Sequence, residues 1–225
     1  MSLVTAVPRT PLLICVDVEP DGRAIDPGVR ADWNGFEQTC AFVRDLRAAL
    51  AEATVAPVHL CWFLRMDPQI AHVYGSADWA MTRYRDLIRE LEAAGDEIGL
   101  HPHFWRWDQE QARWIVDVGN ARWVERCLRQ SFAAFEHCFG RGCRSIRLGD
   151  AWMNDAAMTL IERLGARFDL TVEPGRAPDT LPEPFTGSFP NYAGAPRRPY
   201  RPSRRDFRTP GRWWTRTLWE IPLTT

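Results

Sequence analysis

The chain has 225 residues, a net charge of −1 and 28 basic residues, every one an arginine. That length suits one sizeable core, and the balanced charge gives no general attraction to nucleic acid. The absence of lysine excludes Schiff-base chemistry, a phosphate-loop lysine and a kinase-type strand lysine.

No apolar run reaches the roughly 18–20 residues needed to span a bilayer, so no membrane segment is expected. The N-terminus shows no charged region followed by an apolar core, so no signal peptide is expected either. The six cysteines form no Cys-x-x-Cys pair and no disulfide framework, which points to a reducing cytoplasm.

Strand-like and helix-like segments alternate along the chain. Residues 11–17 read as a short buried strand, closed by Asp17-Val18-Glu19. A Pro, Asp and Gly-rich loop follows. A helix is expected over 34–53, with Phe36, Phe42, Val43, Leu46 and Leu50 at helical spacing. Residues 56–64 read as a second buried strand. A helix over 78–94 is stopped by Gly95, and residues 97–101 form a third strand. A helix over 121–139 leads to a strand at 144–148, and a helix over 154–164 leads to one at 168–172. Residues 174–216 carry many prolines, glycines and arginines with no period, and read as an irregular insertion. A last strand is expected at 218–223. This order predicts one α/β domain over 1–225 with parallel strands and crossover helices.

Two motifs carry chemistry. Alternate residues of a strand share a face, so Asp17 and Glu19 point one way and His101 and His103 point one way. Two imidazoles and two or more carboxylates at strand ends suit a divalent metal. Asp17 and Glu19 could instead cap a turn, and the histidines could be loop groups, since Pro102 disfavours a central strand. Trp105, Trp107 and Trp152 lie beside these motifs and offer flat faces to a sugar ring.

Gly95-Asp96-Glu97-Ile98-Gly99-Leu100-His101 resembles the Gly-His-Glu-Ile-Gly-x-His strand of the polysaccharide deacetylase family. Asp17-Val18-Glu19-Pro20-Asp21 resembles its Asp-Asp-Gly-Pro segment, Arg147-Leu148-Gly149 its arginine segment, and Phe168-Asp169 with Pro174-Gly175 its fifth-strand motif. Glu220-Ile221-Pro222 is similar to a late strand of the bacterial polysaccharide-biosynthesis branch.

The resemblance implies a distorted β/α barrel of about seven parallel strands, incomplete at its C-terminal end. It implies metal-dependent removal of acetyl groups from N-acetylated sugars, with zinc as the expected ion. It casts Asp17 as general base and Arg147 as the group that orients it. Glu19, Asp21, His101 and His103 are the implied ligands, and Trp105, Trp107, Asp150 and Trp152 line the substrate. The implied partner is a carbohydrate, with no nucleic acid and no membrane.

Three departures from the family pattern matter. Val18 stands where the family has an aspartate ligand, Trp105 stands where its second metal histidine lies, with His103 the only nearby substitute, and no histidine follows His137 to serve as a late general acid. Two alternatives therefore stand beside the enzyme: an inactive, deacetylase-like carbohydrate-binding protein, and a metal-free hydrolase of a small non-peptide C–N bond.

Overall fold

In the computed structural model, residues 12–23, 27, 29–178, 180–212 and 214–223 are described. Six short strands build one parallel sheet in the order β1 (Cys15–Val18), β2 (Cys61–Leu64), β3 (Glu97–Leu100), β6 (Ser145–Ile146), β7 (Phe168–Asp169) and β9 (Trp219–Glu220). Between them run α1 (Asn34–Thr54), α2 (Pro68–Tyr74), α3 (Trp79–Arg83), α4 (Arg85–Ala93), α5 (Ala121–Phe139) and α6 (Asp155–Arg163). The fold is α/β, and no pairing closes β9 onto β1 among the described residues. The expected start of the first strand at Pro11 lies outside the described residues.

A second, three-stranded sheet joins β4 (Trp105–Asp108), β5 (Arg113–Asp117) and β8 (Phe185–Thr186). The hairpin β4–β5 has no counterpart in the sequence reading. Its tip is Asp, Gln, Glu and Arg, and only Trp114, Ile115 and Val116 supply a buried run. It begins immediately after His103 and so becomes one wall beside the histidines.

The helices form for ordinary reasons. α1 buries Phe36, Cys40 and Val43, spaced three to four residues apart, and leaves Phe42 exposed, contrary to the expected face. The expected 78–94 helix is divided in two, with α3 and α4 meeting at Tyr84. α2 begins Asp67-Pro68: the Asp67 carboxylate accepts from the backbone N–H groups of Gln69 and Ile70, and Pro68 takes the first helical position.

The sheet needs a glycine at Gly99. A Cβ there would press on the Ser145 carbonyl and lie 2.8 Å from the Phe63 ring, so β3 packs this closely only without a side chain.

Segment 174–216 holds β8 and the bridge Pro202–Pro210, and no helix among its described residues. It is nonetheless anchored. Tyr192 and Phe207 are buried, the Tyr192 hydroxyl donates to the Ala151 carbonyl, and Arg216 is buried against Glu162 at 3.0 Å. Its arginines are thus partly committed within the chain, rather than all facing solvent.

At the far edge of the sheet, Asp169 and Glu220 are register partners on β7 and β9, and both are fully buried. The Thr171 hydroxyl takes the Leu148 N–H and therefore gives its own proton to Asp169 Oδ1 at 2.6 Å. The Val172 N–H donates to Glu220 Oε1. The second oxygen of each carboxyl is buried without a hydrogen-bond partner, an arrangement that one proton between the two carboxyls would satisfy. Burial raises both carboxyls above the usual range, and for Glu220 the neighbouring Asp169 adds to the effect. Tyr192 and Tyr200 face the pair, and burial raises both phenols.

Candidate metal centre

Backbone register sets the site. Val18, Leu64, Leu100 and Ile146 lie side by side across four strands. The N–H groups of Arg65, His101 and Arg147 then donate to the Val18, Leu64 and Leu100 carbonyls. Glu19, Arg65, His101 and Arg147 therefore leave the strands at one level, the C-terminal edge of the sheet.

Asp17, one alternation back on β1, reaches the same space. Its Oδ2 takes a hydrogen bond from Arg147, whose other terminal nitrogen donates to Glu173 at 2.8 Å. Its Oδ1 is buried without a donor and lies 3.7 Å from His101 Nδ1.

His101 and His103 are both 3% exposed. His101 Nδ1 lies 2.8 Å from the Arg147 carbonyl, which can only accept, so that nitrogen carries the proton and Nε2 keeps its lone pair. Burial holds the His101 imidazole below its usual pKa, although Asp17 opposes this, so the ring stays neutral. His103 Nδ1 lies 3.1 Å from Asp150 Oδ2, and its Nε2 faces His101 Nε2 at 3.1 Å. Glu19 Oε2 lies 3.5 Å from His103 Nε2. The three ligand atoms of Glu19, His101 and His103 all fall within 4.8 Å of one another.

This donor set fits a divalent ion. Two imidazole nitrogens and one carboxylate converge, and each histidine has an acceptor behind it, the Arg147 carbonyl for His101 and Asp150 for His103. Glu19 is also the carboxylate of the pocket least committed elsewhere. Asp17 pairs with Arg147, Asp67 with Arg65, and Asp150 with Arg23, whereas Arg65 stands 3.8 Å from Glu19.

Several sequence expectations are corrected. Asp21 does not join the cluster: its two oxygens accept from the N–H groups of Asn34 and Gly35 at 3.0 and 2.9 Å and cap α1. Trp105 is buried and offers no face to a sugar; its indole N–H points at His103 Nδ1 and Asp150 Oδ2, at 3.0 and 3.2 Å. Trp107 packs with His72 and Trp114 on the hairpin. Trp152 is a core residue, packed on Phe104 and donating to the Ser188 carbonyl. Asp150 orients His103 instead of lining substrate. Burial works against its charge, but His103, then Arg23 and Arg65, hold it well below the usual carboxylate range.

Other members were not singled out from sequence. Arg65 and Asp67 form a fully buried pair at 2.8 Å, and Asp67 also accepts the His103 N–H at 3.0 Å. Burial opposes both charges, yet each holds the other ionised: Asp67 is lowered and Arg65 raised. Removing one partner of such a pair costs roughly 3–5 kcal/mol. Gly149 leaves room for the His103 ring, which a Cβ at that position would overlap. Asp150 and Ala151 follow it with φ of 56° and 48°, a left-handed turn that aims the Asp150 carboxylate at His103. Asp67-Pro-Gln was a readable signal, since an acidic N-cap before proline marks a helix start. Arg23 and Glu173 had no local signal.

The fold and site together define an α/β protein with a candidate divalent-metal centre at the C-terminal edge of its sheet. Polysaccharide deacetylases are among the solved structures similar to it. One, from Mycobacterium smegmatis and assigned provisionally as a polysaccharide deacetylase, is 16% identical with a TM-score of 0.49, covering 94% of this chain and 57% of its own. The BpsB deacetylase domain from Bordetella bronchiseptica is 17% identical with a TM-score of 0.44, covering 80% and 72%. A CE4-family pseudoenzyme from Bacillus anthracis is 10% identical with a TM-score of 0.39, covering 68% and 40%. No family model and no curated protein matches the chain. It spans little more than half the length of the Mycobacterium protein. At these scores the likeness carries no argument by itself, and the chemistry of the site has to.

Proposed function

We propose that this chain is a metal-dependent hydrolase of an acetamido group, with an N-acetylated sugar as the substrate class. The observation that carries the proposal is the convergence of Glu19, His101 and His103 beside an Asp17 oxygen with no donor. Glu19, His101 and His103 would hold the ion, which when bound polarises a carbonyl and acidifies a water molecule.

The chain's own groups supply the rest. Asp17 Oδ1 is the proton acceptor for the attacking water, and Arg147 holds Asp17 in place through its other oxygen. Glu173 anchors Arg147 from the other side. The Arg147 carbonyl and Asp150 hold the two imidazoles with Nε2 inward.

The leaving amine needs a proton, and the site is poor in donors. Among the described residues, His101 is kept neutral and Asp150 ionised by their surroundings. Slow turnover on amides is part of the proposal.

The sugar assignment rests on the sequence motifs around Asp17, His101 and Arg147. No helix among the described residues is long and apolar enough to cross a membrane.

The test is acetate release from N-acetylglucosamine oligomers by zinc-loaded protein. Metal-dependent release lost in Asp17→Asn supports the reading. Tight oligomer binding with no release at any metal loading would favour the carbohydrate-binding alternative.

A further inference from the structure

Cys15 and Cys61 are far apart in sequence and read there as small hydrophobes of two buried strands. The fold makes them direct partners: Cys15 opens β1, Cys61 opens β2, and their Cα positions are in register. Register partners on adjacent strands lie roughly 4.7–4.9 Å apart with side chains on one face, inside the range of about 4.4–6.8 Å that a disulfide spans. Both residues are half-buried, so a small reagent can reach them, whereas Cys40, Cys127 and Cys143 are buried. Cys15 also shares a face of β1 with Asp17, two residues on.

We propose that Cys15 and Cys61 are a site of reversible oxidation by low-molecular-weight disulfides of the glutathione type. One thiol attacks a sulfur of the small disulfide, giving a mixed disulfide and releasing one small thiolate. The other thiol loses its proton to that thiolate and displaces the second. The cysteine pair is oxidised to one S–S bond, and the small disulfide is reduced to two thiols.

Contact between the two thiols moves their acidities in opposite directions, Cys61 down and Cys15 up, with burial adding to the rise at Cys15. By contrast, burial pushes Cys40 and Cys138 to about 11 and Cys143 to about 12.

The experiment treats the folded chain with mixtures of reduced and oxidised glutathione, blocks free thiols with an alkylating agent, and maps peptides after cleavage at arginine. Cys15 then lies on peptide 10–23 and Cys61 on peptide 48–65, separate from every other cysteine. The expected result is a 10–23/48–65 linked species that forms without denaturant and disappears on adding thiol. In Cys15→Ser, Cys61 should stop at the glutathione adduct. The wild-type mapping stands alone if that variant does not fold. Linkage that appears only in urea, or a wild-type Cys61 that stays free or stops as the adduct, overturns the proposal.

Discussion

Nε2 of His101 and Nε2 of His103 face each other at 3.1 Å, and the group behind His103 decides what that pair can do. If His103 Nδ1 donates to Asp150, both Nε2 atoms present lone pairs and share a cation. If Nδ1 instead accepts from Trp105, Nε2 carries a proton and the pair becomes an internal hydrogen bond. The negative charge of Asp150 favours the first arrangement, because a carboxylate stabilises a donor directed at it.

Asp150→Asn should therefore weaken zinc binding by about 10–100-fold while leaving a folded protein. Competition with a chromogenic chelator measures the affinity, and circular dichroism checks the fold. Equal affinity in the two proteins would remove Asp150 from the account.

Arg147 holds Asp17, and its effect is separable from that of the proton donor to the leaving group. An activated aryl acetate has a leaving group that needs no protonation, so its hydrolysis reads the base alone. Arg147→Ala should slow that reaction by about 10²-fold. A rate within twofold of wild type would make Arg147 a structural residue only.

The same reasoning predicts a large gap between substrates. The wild-type chain should cleave the aryl acetate readily and acetamido sugars about 10²–10⁴-fold more slowly than an enzyme with a positioned acid. Parity with such an enzyme in acetate release would assign the proton to a group not recognised here, with His103 the first to examine.

The Asp169–Glu220 pair makes stability depend on pH. Both carboxyls are raised in the folded chain, so the native state keeps a proton that the unfolded chain releases above its ordinary carboxylate pKa. The unfolded state binds fewer protons, and stability falls as pH rises through this window, by about 1.4 kcal/mol per unit for one proton. Glu220→Gln supplies a permanent donor to Asp169. It should flatten the dependence and leave the variant more stable than wild type near pH 8. Urea unfolding from pH 5 to 8 tests this; parallel curves for the two proteins would rule out the shared proton.

Much of the site was legible because strand alternation is a strong rule. Asp17 with Glu19 and His101 with His103 each share a face whatever the tertiary fold. The sheet order then joined them, as alternating strands and helices implied. What could not be read were groups whose partners are distant in sequence. Arg23 meets Asp150 across 127 residues, and Glu173 meets Arg147 only where β7 lies beside β6. The tryptophans misled for a different reason: an indole beside a motif is as suited to packing or hydrogen bonding as to a sugar face. Trp105 and Trp152 both spend their N–H groups inside the protein. Asp21 looked like a ligand because it lies in the segment resembling Asp-Asp-Gly-Pro, where Val18 cannot ligate, but its carboxylate is spent on the backbone N–H groups that open α1.

The most direct test of the metal centre is equilibrium zinc binding to the metal-stripped chain, compared with Glu19→Gln and His103→Ala. One tightly bound ion per wild-type chain is expected, with binding weakened by at least about 10-fold in each variant. No stoichiometric binding to the wild-type chain, or unaltered affinity in Glu19→Gln, would contradict a metal centre at these residues.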